Sequence, residues 1–506
     1  MIIERSSEWK ESFIERLENR EAWDNWTLYK MSYEVAKSTL ITDFTGLQSP
    51  NYLPNLTPLA HQLEVAETVI ERMNGKAILA DEVGLGKTIE AGLILKEYLI
   101  RGLVKKALIL APASLVNQWV DELNQKFHIP AFPYKKNYDL NYCTIVVMSI
   151  DMAKRSPHKE NIYAQEYDLI IIDEAHKLKN HKTKSYEFVQ NLRKKFCLLL
   201  TATPIQNDVF ELFHLISLLK PGHLGNYETF QAAFSARKHA VEHDEFLKEL
   251  VLQVMVRNRR QDTGVDWTNR HVQIVPLDFT EEEREVYDMI SQLDHFSAAF
   301  SKMTLQREMC SSREAIFVTL TNMCQECSQP EAIVQMEEIM KKLEGLSIHS
   351  KAEKAYEIIT QANDKVILFT EYRASQNYLQ EYLYSKGISS VLFNGKFSKS
   401  KREWMKQLFK EQAQVLIATE SGSEGINLQF CHHVINYDLP WNPMKLEQRI
   451  GRVHRLGQEH DVHIYNLAIQ NTIEDHILDL LHVKIGVFEQ VVGELDDILS
   501  TFKQTI

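Results

Sequence analysis

The sequence is poor in cysteine, lacks long apolar runs and has fewer basic than acidic residues. Six cysteines among 506 residues, most of them without paired spacing, favour a reducing compartment over a disulfide framework. No run of about 18 apolar residues occurs, and the charged residues 1–10 do not resemble a secretory signal. With a net charge of −12, any binding to polyanions must use local basic patches. We expect a cytoplasmic, globular chain of about three domains.

Residues 80–88 have the composition of a phosphate-binding loop between a buried strand and a helix. Gly84 and Gly86 allow backbone N–H groups to approach phosphate oxygens, and Lys87 can reach the terminal phosphates. The Thr88 hydroxyl is a predicted Mg²⁺ ligand. The ATP-binding residues predicted in this loop are Asp81, Glu82, Gly84, Leu85, Gly86, Lys87 and Thr88, with Asp81 in place of the first consensus glycine.

A helical pattern begins near residue 59, shortly before the loop. Its Gln62 is a candidate for adenine binding, because a side-chain amide can donate and accept hydrogen bonds at once. Beyond the loop, short apolar runs alternate with helical patterns, which indicates a parallel sheet flanked by helices. Such sheets bind ligands at the carboxyl ends of their strands. The strands predicted here are residues 76–80, 107–111, 144–148, 168–172 and 196–201.

Polar residues follow the last two of these strands. Asp173 can hold Mg²⁺ through water, and Glu174 can orient and deprotonate an attacking water molecule. Thr201 and Thr203 belong to the stretch 201–207, whose hydroxyls and Gln-Asn pair could sense a γ-phosphate. The sequence therefore predicts nucleotide chemistry at this edge of the sheet.

A second alternating segment predicts a second lobe of the same class, with strands at residues 365–370, 390–394, 415–419 and 433–437. It is followed by Gln448, Arg452 and Arg455 in a Gln-x-x-Gly-Arg-x-x-Arg pattern. Arginines three apart share one face of a helix and could reach charge on a transferring phosphoryl group. The catalytic residues predicted are Lys87, Glu174, Gln448, Arg452 and Arg455.

The motifs at residues 81–88, 111–119, 173–176 and 201–207 resemble, in order, those of superfamily-2 helicase-like ATPases of the SWI/SNF type. Residues 173–176 resemble a DEAH box. Within this family the bacterial RapA (HepA) branch is most similar, because residues 422–427 read Gly-Ser-Glu-Gly-x-Asn. The resemblance implies that nucleic-acid binding is coupled to ATP through Thr201, Thr203, Thr419, Gly422 and Gly425.

The fold class implied is α/β, with two RecA-like parallel-sheet lobes in tandem, helical protrusions, and helical N- and C-terminal braces. For residues 462–506 a helical brace is expected, with a regulatory role left open. The expected domains are a helical extension (1–55), lobe 1 (56–225), protrusions and linker (226–345), lobe 2 (346–480) and a C-terminal helical brace (481–506).

The expected activity is ATP- and Mg²⁺-dependent translocation along double-stranded DNA, which remodels protein–DNA complexes. Basic patches at residues 177–184 and 396–406 are candidate DNA contacts, and a nucleoid-associated monomer is expected. Three alternatives remain: a strand-separating DNA or RNA helicase, a P-loop kinase, and a nucleotide-gated protein acting on RNA polymerase or in a phage-defence complex. RapA-branch members that engage the polymerase carry extra N-terminal domains, which disfavours a polymerase role.

Two features of residues 221–346 have no assigned role in the expected ATPase activity. Residues 257–260 form a basic cluster, Arg-Asn-Arg-Arg. Cys310, Cys324 and Cys327 include a Cys-x-x-Cys ligand spacing, but no fourth ligand is near, and cysteines on helices are ordinarily buried hydrophobes. Zinc is therefore the less favoured interpretation.

Overall fold

The computed structural model describes residues 14–15, 18, 26–39, 46–136, 139–205, 209–235, 245–293, 299–327, 329–346, 349–423 and 426–481. The chain divides into two compact units, Met1–Gly46 and Leu47–Ile506. In the first unit, helix α1 (Trp26–Thr39) carries stacked rings, with centroids 5.3 Å apart for Trp26 and Tyr29 and 6.4 Å apart for Tyr29 and Tyr33. Most of the remaining predicted helical extension before residue 46 lies outside the described residues, as do residues 482–506.

In the described part of the second unit, two parallel sheets form the centres of two α/β lobes. The first sheet contains β1 (Lys76–Leu79), β2 (Ala107–Ala111), β3 (Ala131–Pro133), β4 (Ile145–Ser149), β5 (Tyr167–Asp173), β6 (Lys194–Leu200) and β7 (Met255–Val256). Their spatial order is β3-β4-β2-β5-β6-β1-β7. Strands β2 and β4 are buried along their whole length, as their continuous apolar sequences predict.

Lobe 1 comprises this sheet and the helices connecting its strands. These helices are α2 (Ala60–Glu71), α3 (Lys87–Ile100), α4 (Val116–Gln125), α5 (Ile150–Ala153), α6 (His158–Tyr163), α7 (Lys184–Gln190), α8 (Val209–Leu219), α9 (Tyr227–Ser235) and α10 (Glu245–Leu252). The five predicted strands are confirmed to within two residues, whereas β3 and β7 were not predicted. Strand β1 pairs with β6 and β7, which places the phosphate loop near the end of β6.

The second sheet contains β8 (Arg270–Leu277), β9 (Val366–Thr370), β10 (Ser390–Phe393), β11 (Val415–Thr419), β12 (His433–Asn436) and β13 (Val462–Ile469). Its order is β10-β11-β9-β12-β13-β8. Lobe 2 adds the helices α15 (Ser350–Ala362), α16 (Arg373–Ser385), α17 (Lys399–Glu411), α18 (Glu420–Ser423) and α19 (Pro443–Ile450). Successive side chains of β9 alternate between two cores: Ile367 and Phe369 enter one, and Val366 and Leu368 the other.

Two strands of this sheet correct the sequence-based expectations. The expected helical brace at residues 462–506 begins instead with β13, which pairs with β12. The segment 226–345, expected to hold protrusions and linker, contributes β7 to the first sheet and β8 to the second. β8 pairs in parallel with β13 from Arg270 opposite Val462 to Leu277 opposite Ile469.

Between β8 and α15, the described residues form an insert of four helices: α11 (Glu281–Ser291), α12 (Ala299–Ser311), α13 (Arg313–Glu326) and α14 (Pro330–Gly345). Cys310 lies in the core of this helical insert, and Cys324 and Cys327 pack against it as partly buried side chains. Among the described residues, these cysteines do not belong to a group of metal-ligating side chains close enough to share an ion. Within the same ranges no helix has the length and apolar character that crossing a membrane requires.

Candidate active site

The phosphate loop adopts a conformation that two glycines permit. Gly84 has φ of +99°, and Gly86, at the N-cap of α3, has φ of +97°. A Cβ atom on Gly86 would also lie 2.6 Å from Nε2 of Gln62. Lys87 Nζ donates to the carbonyl oxygens of Asp81 at 2.6 Å and Glu82 at 3.2 Å. The ammonium group is thus held inside the loop by neutral acceptors that anionic phosphate oxygens can replace.

Asp81 and Glu82 contact a neighbouring segment rather than the interior of the loop. Asp81 Oδ1 accepts from the backbone N–H of Asn258 at 2.8 Å, and Asp81 Oδ2 accepts from Asn258 Nδ2 at 3.0 Å. Glu82 Oε2 accepts from the backbone N–H of Arg260 at 3.1 Å. Both carboxylates therefore anchor the chain that follows β7, and the ATP-binding role predicted for them would be indirect.

Gln62 also serves the loop in this structure. Its Nε2 donates to the carbonyl oxygen of Leu85 at 2.9 Å, and its Oε1 accepts from the N–H of Leu59 at 3.0 Å. The side chain is buried. Because its amide donor and acceptor are both engaged, reading adenine would require Gln62 to exchange these bonds, and that role stays a prediction.

Asp173 is the last residue of β5, Glu174 follows it, and both line the cleft. Asp173 accepts from Trp119 Nε1 at 2.8 Å and from the N–H of Glu174 at 2.8 Å. Burial, together with the adjacent Glu174 carboxylate, raises the pKa of Asp173 to about 6. A carboxylate whose ionisation is this costly is stabilised by a cation.

The pKa of Glu174 is shifted in the opposite direction from that of Asp173. Burial raises its pKa, but the hydrogen bond and charge of His176, followed by the charges of Arg452 and Lys87, lower it to about 2. His176 Nδ1 lies 3.1 Å from Glu174 Oε2. Glu174 also has φ of +51°, an uncommon conformation for a residue with a side chain. It is therefore an ionised, oriented hydrogen-bond acceptor at neutral pH.

Thr88 and Asp173 have the donor atoms that a magnesium site needs. Both line the same cleft. Thr88 offers a hydroxyl, and Asp173 offers a carboxylate whose pKa burial raises. Hard oxygen donors of this kind suit Mg²⁺. Bound there, the ion would neutralise charge on the nucleotide phosphates.

Arg452 and Arg455 reach the cleft from lobe 2, but not from a helix as predicted. Helix α19 ends at Ile450, so both arginines lie in the following turns. Arg455 Nε donates to the carbonyl oxygen of Gly451 at 2.6 Å. Burial, and then the charge of Arg452, lower the pKa of Arg455 to about 10. Gln448, in the last turn of α19, lines the cleft beside them.

The two lobes touch directly where the phosphate loop meets these turns, here called the arginine turn (residues 451–455). A Cβ atom on Gly451 would lie 2.3 Å from Cγ1 of Val83. One on Gly84 would lie 3.3 Å from the carbonyl oxygen of His454. Glycine at position 451 therefore leaves room for the Val83 side chain, and glycine at position 84 lets the phosphate loop approach the backbone of the arginine turn.

The cleft between the lobes contains about 1010 Å³ of unfilled space, part of it open to solvent. Of the predicted ATP-binding residues, all of them described, Gln62, Asp81, Glu82 and Leu85 do not line it. Its lining residues are Val83, Gly84, Gly86, Lys87, Thr88, Ile89, Leu115, Gln118, Trp119, Glu122, Lys126, Asp173, Glu174, Thr201 and Ala202 from lobe 1, and Gln448, Arg452 and Arg455 from lobe 2.

The predicted coupling residues occupy separate places. Thr201 lines the cleft, and its Oγ1 accepts from the N–H of Thr203 at 3.0 Å. Thr419 is buried at the end of β11. Gly422 packs inside lobe 2, where a Cβ atom would lie 2.6 Å from the Cα of Asn394. Gly425 is outside the described residues. A coupling role for this set stays a prediction.

Beneath the loop, His61, Asp81 and Glu90 are buried with ligating atoms within 4.8 Å of one another. Burial, followed by the charge of Asp81 and a hydrogen bond with it, raises the pKa of Glu90 well above its ordinary value. The Lys87 ammonium is near enough to act on the same carboxyl, which disfavours a metal cation there. We therefore interpret the cluster as a buried polar group beneath the loop rather than as a metal site.

Three residues of the site were not assigned a role from sequence. Trp119 belongs to one of the recognised motifs, and its indole N–H donates a hydrogen bond to Asp173. Asn258 and Arg260 lay in a basic cluster far along the chain, with no sequence signal that they return to the phosphate loop. Their contacts depend on β7 pairing beside β1, and this two-residue strand was itself not predicted.

The two basic patches predicted to bind DNA are largely exposed. In the first, Lys177 and Lys182 are exposed, whereas Lys179 forms an ion pair with Glu211 at 3.0 Å. In the second, Lys396 and Lys401 are exposed. Their positions are compatible with contacts to phosphates.

The fold and the shared cleft define a two-lobed nucleotide hydrolase of the helicase type. A family model described as the SNF2-related domain matches residues 61–332, and one described as the helicase conserved C-terminal domain matches residues 350–457. A Bacillus subtilis (strain 168) protein named "Uncharacterized ATP-dependent helicase YqhH" is 60% identical over 501 residues, covering 98% of this chain and 90% of that protein. The chain belongs to the SNF2-related family and is a nucleic-acid-dependent ATPase.

Two solved structures resemble the chain more distantly. The Sulfolobus solfataricus SWI2/SNF2 ATPase core in complex with dsDNA is 21% identical, with a TM-score of 0.44, covering 91% of this chain and 97% of that one. The core domain from the same organism is 21% identical, with a TM-score of 0.43, covering 91% of this chain and 95% of that one.

Proposed function

We propose that this chain is an ATP-dependent DNA translocase that moves along double-stranded DNA and remodels protein–DNA complexes. The observation that carries the proposal is the cleft, to which lobe 1 brings Lys87 and Glu174 and lobe 2 brings Arg452. A nucleotide bound between such groups is hydrolysed fastest when the lobes close on it. Repeated closure and opening would move the lobes relative to each other along a bound strand.

Each side chain has a defined part in this cycle. Glu174, ionised beside His176, orients water and accepts its proton. Lys87 exchanges the carbonyls of Asp81 and Glu82 for phosphate oxygens. Arg452, with Arg455 and Gln448 beside it, stabilises charge on the transferring phosphoryl group. Thr88 and Asp173 would hold Mg²⁺.

Duplex DNA is the preferred track because the chain belongs to the SNF2-related family, which the sequence resemblance associates with duplex DNA. The exposed lysines of residues 177–184 and 396–406 would contact phosphates, so DNA affinity would fall steeply with salt. A monomer suffices, because one chain supplies both walls of the cleft. Nucleoid association, a place in the RapA branch, and a protein partner such as RNA polymerase or a defence component are further parts of the hypothesis.

The second candidate is a strand-separating helicase, which the name of the Bacillus subtilis relative favours. The two functions predict different products. A translocase displaces a third strand from a DNA triplex and leaves the duplex intact, whereas a helicase releases a single strand from a partial duplex.

The test compares steady-state ATP hydrolysis without nucleic acid and with duplex DNA, single-stranded DNA or RNA. We expect duplex to stimulate hydrolysis, and Arg452→Ala to reduce the stimulated rate about 10³–10⁵-fold. Arg193→Ala is the matched control, because the Arg193 side chain is 78% exposed and pairs only across the surface with Glu166. Stimulation by single strands or RNA alone would favour the helicase, and indifference to all nucleic acids would leave a protein-gated switch.

A further inference from the structure

The segment joining the lobes contacts both sides of the cleft. We call residues 257–270, between β7 and the start of β8, the strap. It meets lobe 1 at the phosphate loop: Asn258 binds both carboxylate oxygens of Asp81, and Arg260 Nη2 donates to the carbonyl oxygen of Val83 at 2.5 Å. The N–H of Glu82 in turn donates to the Asn258 carbonyl at 3.2 Å. One end of the strap is therefore fastened to the loop by backbone and side-chain bonds.

The other end of the strap holds His454, which lies between the two arginines of lobe 2. Arg270 Nε donates to His454 Nδ1 at 2.5 Å, so Nδ1 must be the unprotonated nitrogen of a neutral ring. His454 Nε2 then donates to the carbonyl oxygen of Thr268 at 3.0 Å. Arg270 also pairs with Glu447 of α19 at 3.4 Å. These bonds fix the arginine turn from the side facing away from the cleft.

Trp267 connects these two ends. The Arg260 guanidinium lies over its ring, 5.2 Å from the centroid, and the His454 ring meets it nearly edge-on at 5.5 Å. Trp267 Nε1 donates to Thr263 Oγ1 at 3.3 Å, and Thr263 Oγ1 donates to the carbonyl oxygen of Arg260 at 2.7 Å. A continuous series of contacts thus runs from Val83 through Arg260, Trp267 and His454 to the arginine turn.

We propose that Arg260 and Trp267 are positioning residues that place Arg452 and Arg455 relative to the phosphate loop. Neither lines the cleft, so their effect passes through the arginine turn. Cation–π contacts of this kind are worth more when shielded from water, and Arg260 is 3% exposed. The strap would thereby set how often the lobes reach the catalytic arrangement. This inference rests on the proposed role of Arg452 in hydrolysis.

The experiment measures kcat and KM for ATP, with saturating duplex DNA, in Trp267→Ala, Trp267→Phe and a control. We expect Trp267→Ala to lower kcat roughly 10–100-fold, because small displacements of catalytic groups cost this much, with KM nearly unchanged. Trp267→Phe keeps a ring between Arg260 and His454 and should recover most of the rate. The control is Tyr384→Ala on lobe 2, whose aromatic ring is 81% exposed.

A double-mutant comparison separates positioning from general damage. In an Arg452→Ala, Arg455→Ala background, Trp267→Ala should cost little more, because the two groups that it positions are already absent. If the Trp267→Ala loss persists in full there, or if the single variant hydrolyses ATP at the wild-type kcat, the proposal fails. Should Trp267→Ala not fold by circular dichroism, Arg260→Lys provides the same test: it keeps the cation and loses the planar group that reaches Val83.

The two hypotheses fail in different ways. A wild-type protein that ignores nucleic acid contradicts the proposed function, while the comparison of Trp267 and Arg452 variants can still be made on the basal rate. An unchanged rate in Arg452→Ala contradicts the arginine assignment itself. If duplex DNA stimulates hydrolysis normally and Trp267→Ala leaves kcat unchanged, only the positioning role proposed for the strap is overturned.

Discussion

The two lobes share a parallel-sheet architecture but use the carboxyl ends of their strands differently. In lobe 1, an open cleft is lined by Asp173 at the end of β5, by Glu174 directly after it, and by Thr201 after β6. In lobe 2, the corresponding ends of β9 and β12 are filled by protein. Asp438 Oδ2 accepts from Thr370 Oγ1 at 2.6 Å and from Ser311 Oγ at 3.0 Å.

The side chains that fill the strand ends of lobe 2 come largely from the helical insert and α19. Ser311, at the end of α12, belongs to the insert, and Arg307 from the same helix pairs with Glu371 at 2.6 Å. Arg449 Nη1 donates to Asn436 Oδ1 at 3.1 Å and to the Asp438 carbonyl at 2.8 Å. Polar residues at strand ends therefore do not by themselves indicate a ligand site. What distinguishes lobe 1 is that its strand ends retain space and unmatched charge.

Of the three changes that test this comparison of the lobes, the largest effect is expected in the open cleft of lobe 1. Glu174→Gln should reduce ATP hydrolysis about 10²–10⁴-fold, because the amide cannot accept a proton from water. Nucleotide binding, measured by equilibrium titration with a fluorescent ATP analogue, should change little. Glu187→Gln, on the exposed face of α7, is a matched control. Loss of nucleotide binding in Glu174→Gln would show a binding rather than a chemical role.

On the filled side, Asp438→Ala should cost stability. Removing a buried carboxylate that accepts several hydrogen bonds leaves Thr370 and Ser311 without their acceptor, at about 3–5 kcal/mol. Urea unfolding followed by circular dichroism would measure the change. Asp438→Asn retains one oxygen acceptor and should lose less. Equal stability of Asp438→Ala and the wild type would mean that the network does not hold the insert to lobe 2.

The smallest effect expected is a pH dependence from the insert. Burial raises the pKa of Glu308 to about 7, while its bond from Thr319 opposes that shift. Between pH 4.5 and 7 the folded state binds more protons than the unfolded state, so stability falls as pH rises through this window. In Glu308→Gln, the fall in the free energy of unfolding across this pH window should be smaller by on the order of 1–3 kcal/mol. Thermal unfolding at pH 5 and pH 7.5 tests this, and identical pH profiles would contradict it.

The central strands were predictable because they are continuous apolar runs. Strands β2 and β11 match their predictions residue for residue. Strand β8 was missed because it lies at an edge: alternate residues are only partly buried, and Pro276 interrupts the pattern. Strand β7 was missed because it has only two residues, which is too short for a strand pattern to be recognised in the sequence. Pairing across long stretches of chain, as between β8 and β13, leaves no local trace.

The site was predictable wherever one motif contributes one function. The Lys87, Glu174 and Arg452 side chains meet in the cleft as their motifs implied. The helical geometry proposed for the arginines was wrong because Gly451 ends α19, and the prediction applied helical spacing across it. Contacts made by Trp119 and Arg260 required tertiary structure, since each reaches a partner more than fifty residues away.

The pairing of β8 with β13 has a consequence for synthesis. Lobe 1 has all its described strands once Val256 is made, but each residue of β8 must wait for a partner 192 residues later, as Arg270 does for Val462. At roughly 5–20 residues per second, this delay is on the order of 10–40 s. During that time a strand with alternating apolar side chains and unpaired backbone groups is a template for wrong pairing. Nascent chains halted between residues 280 and 460 should therefore bind chaperones or aggregate more than chains released after Ile469.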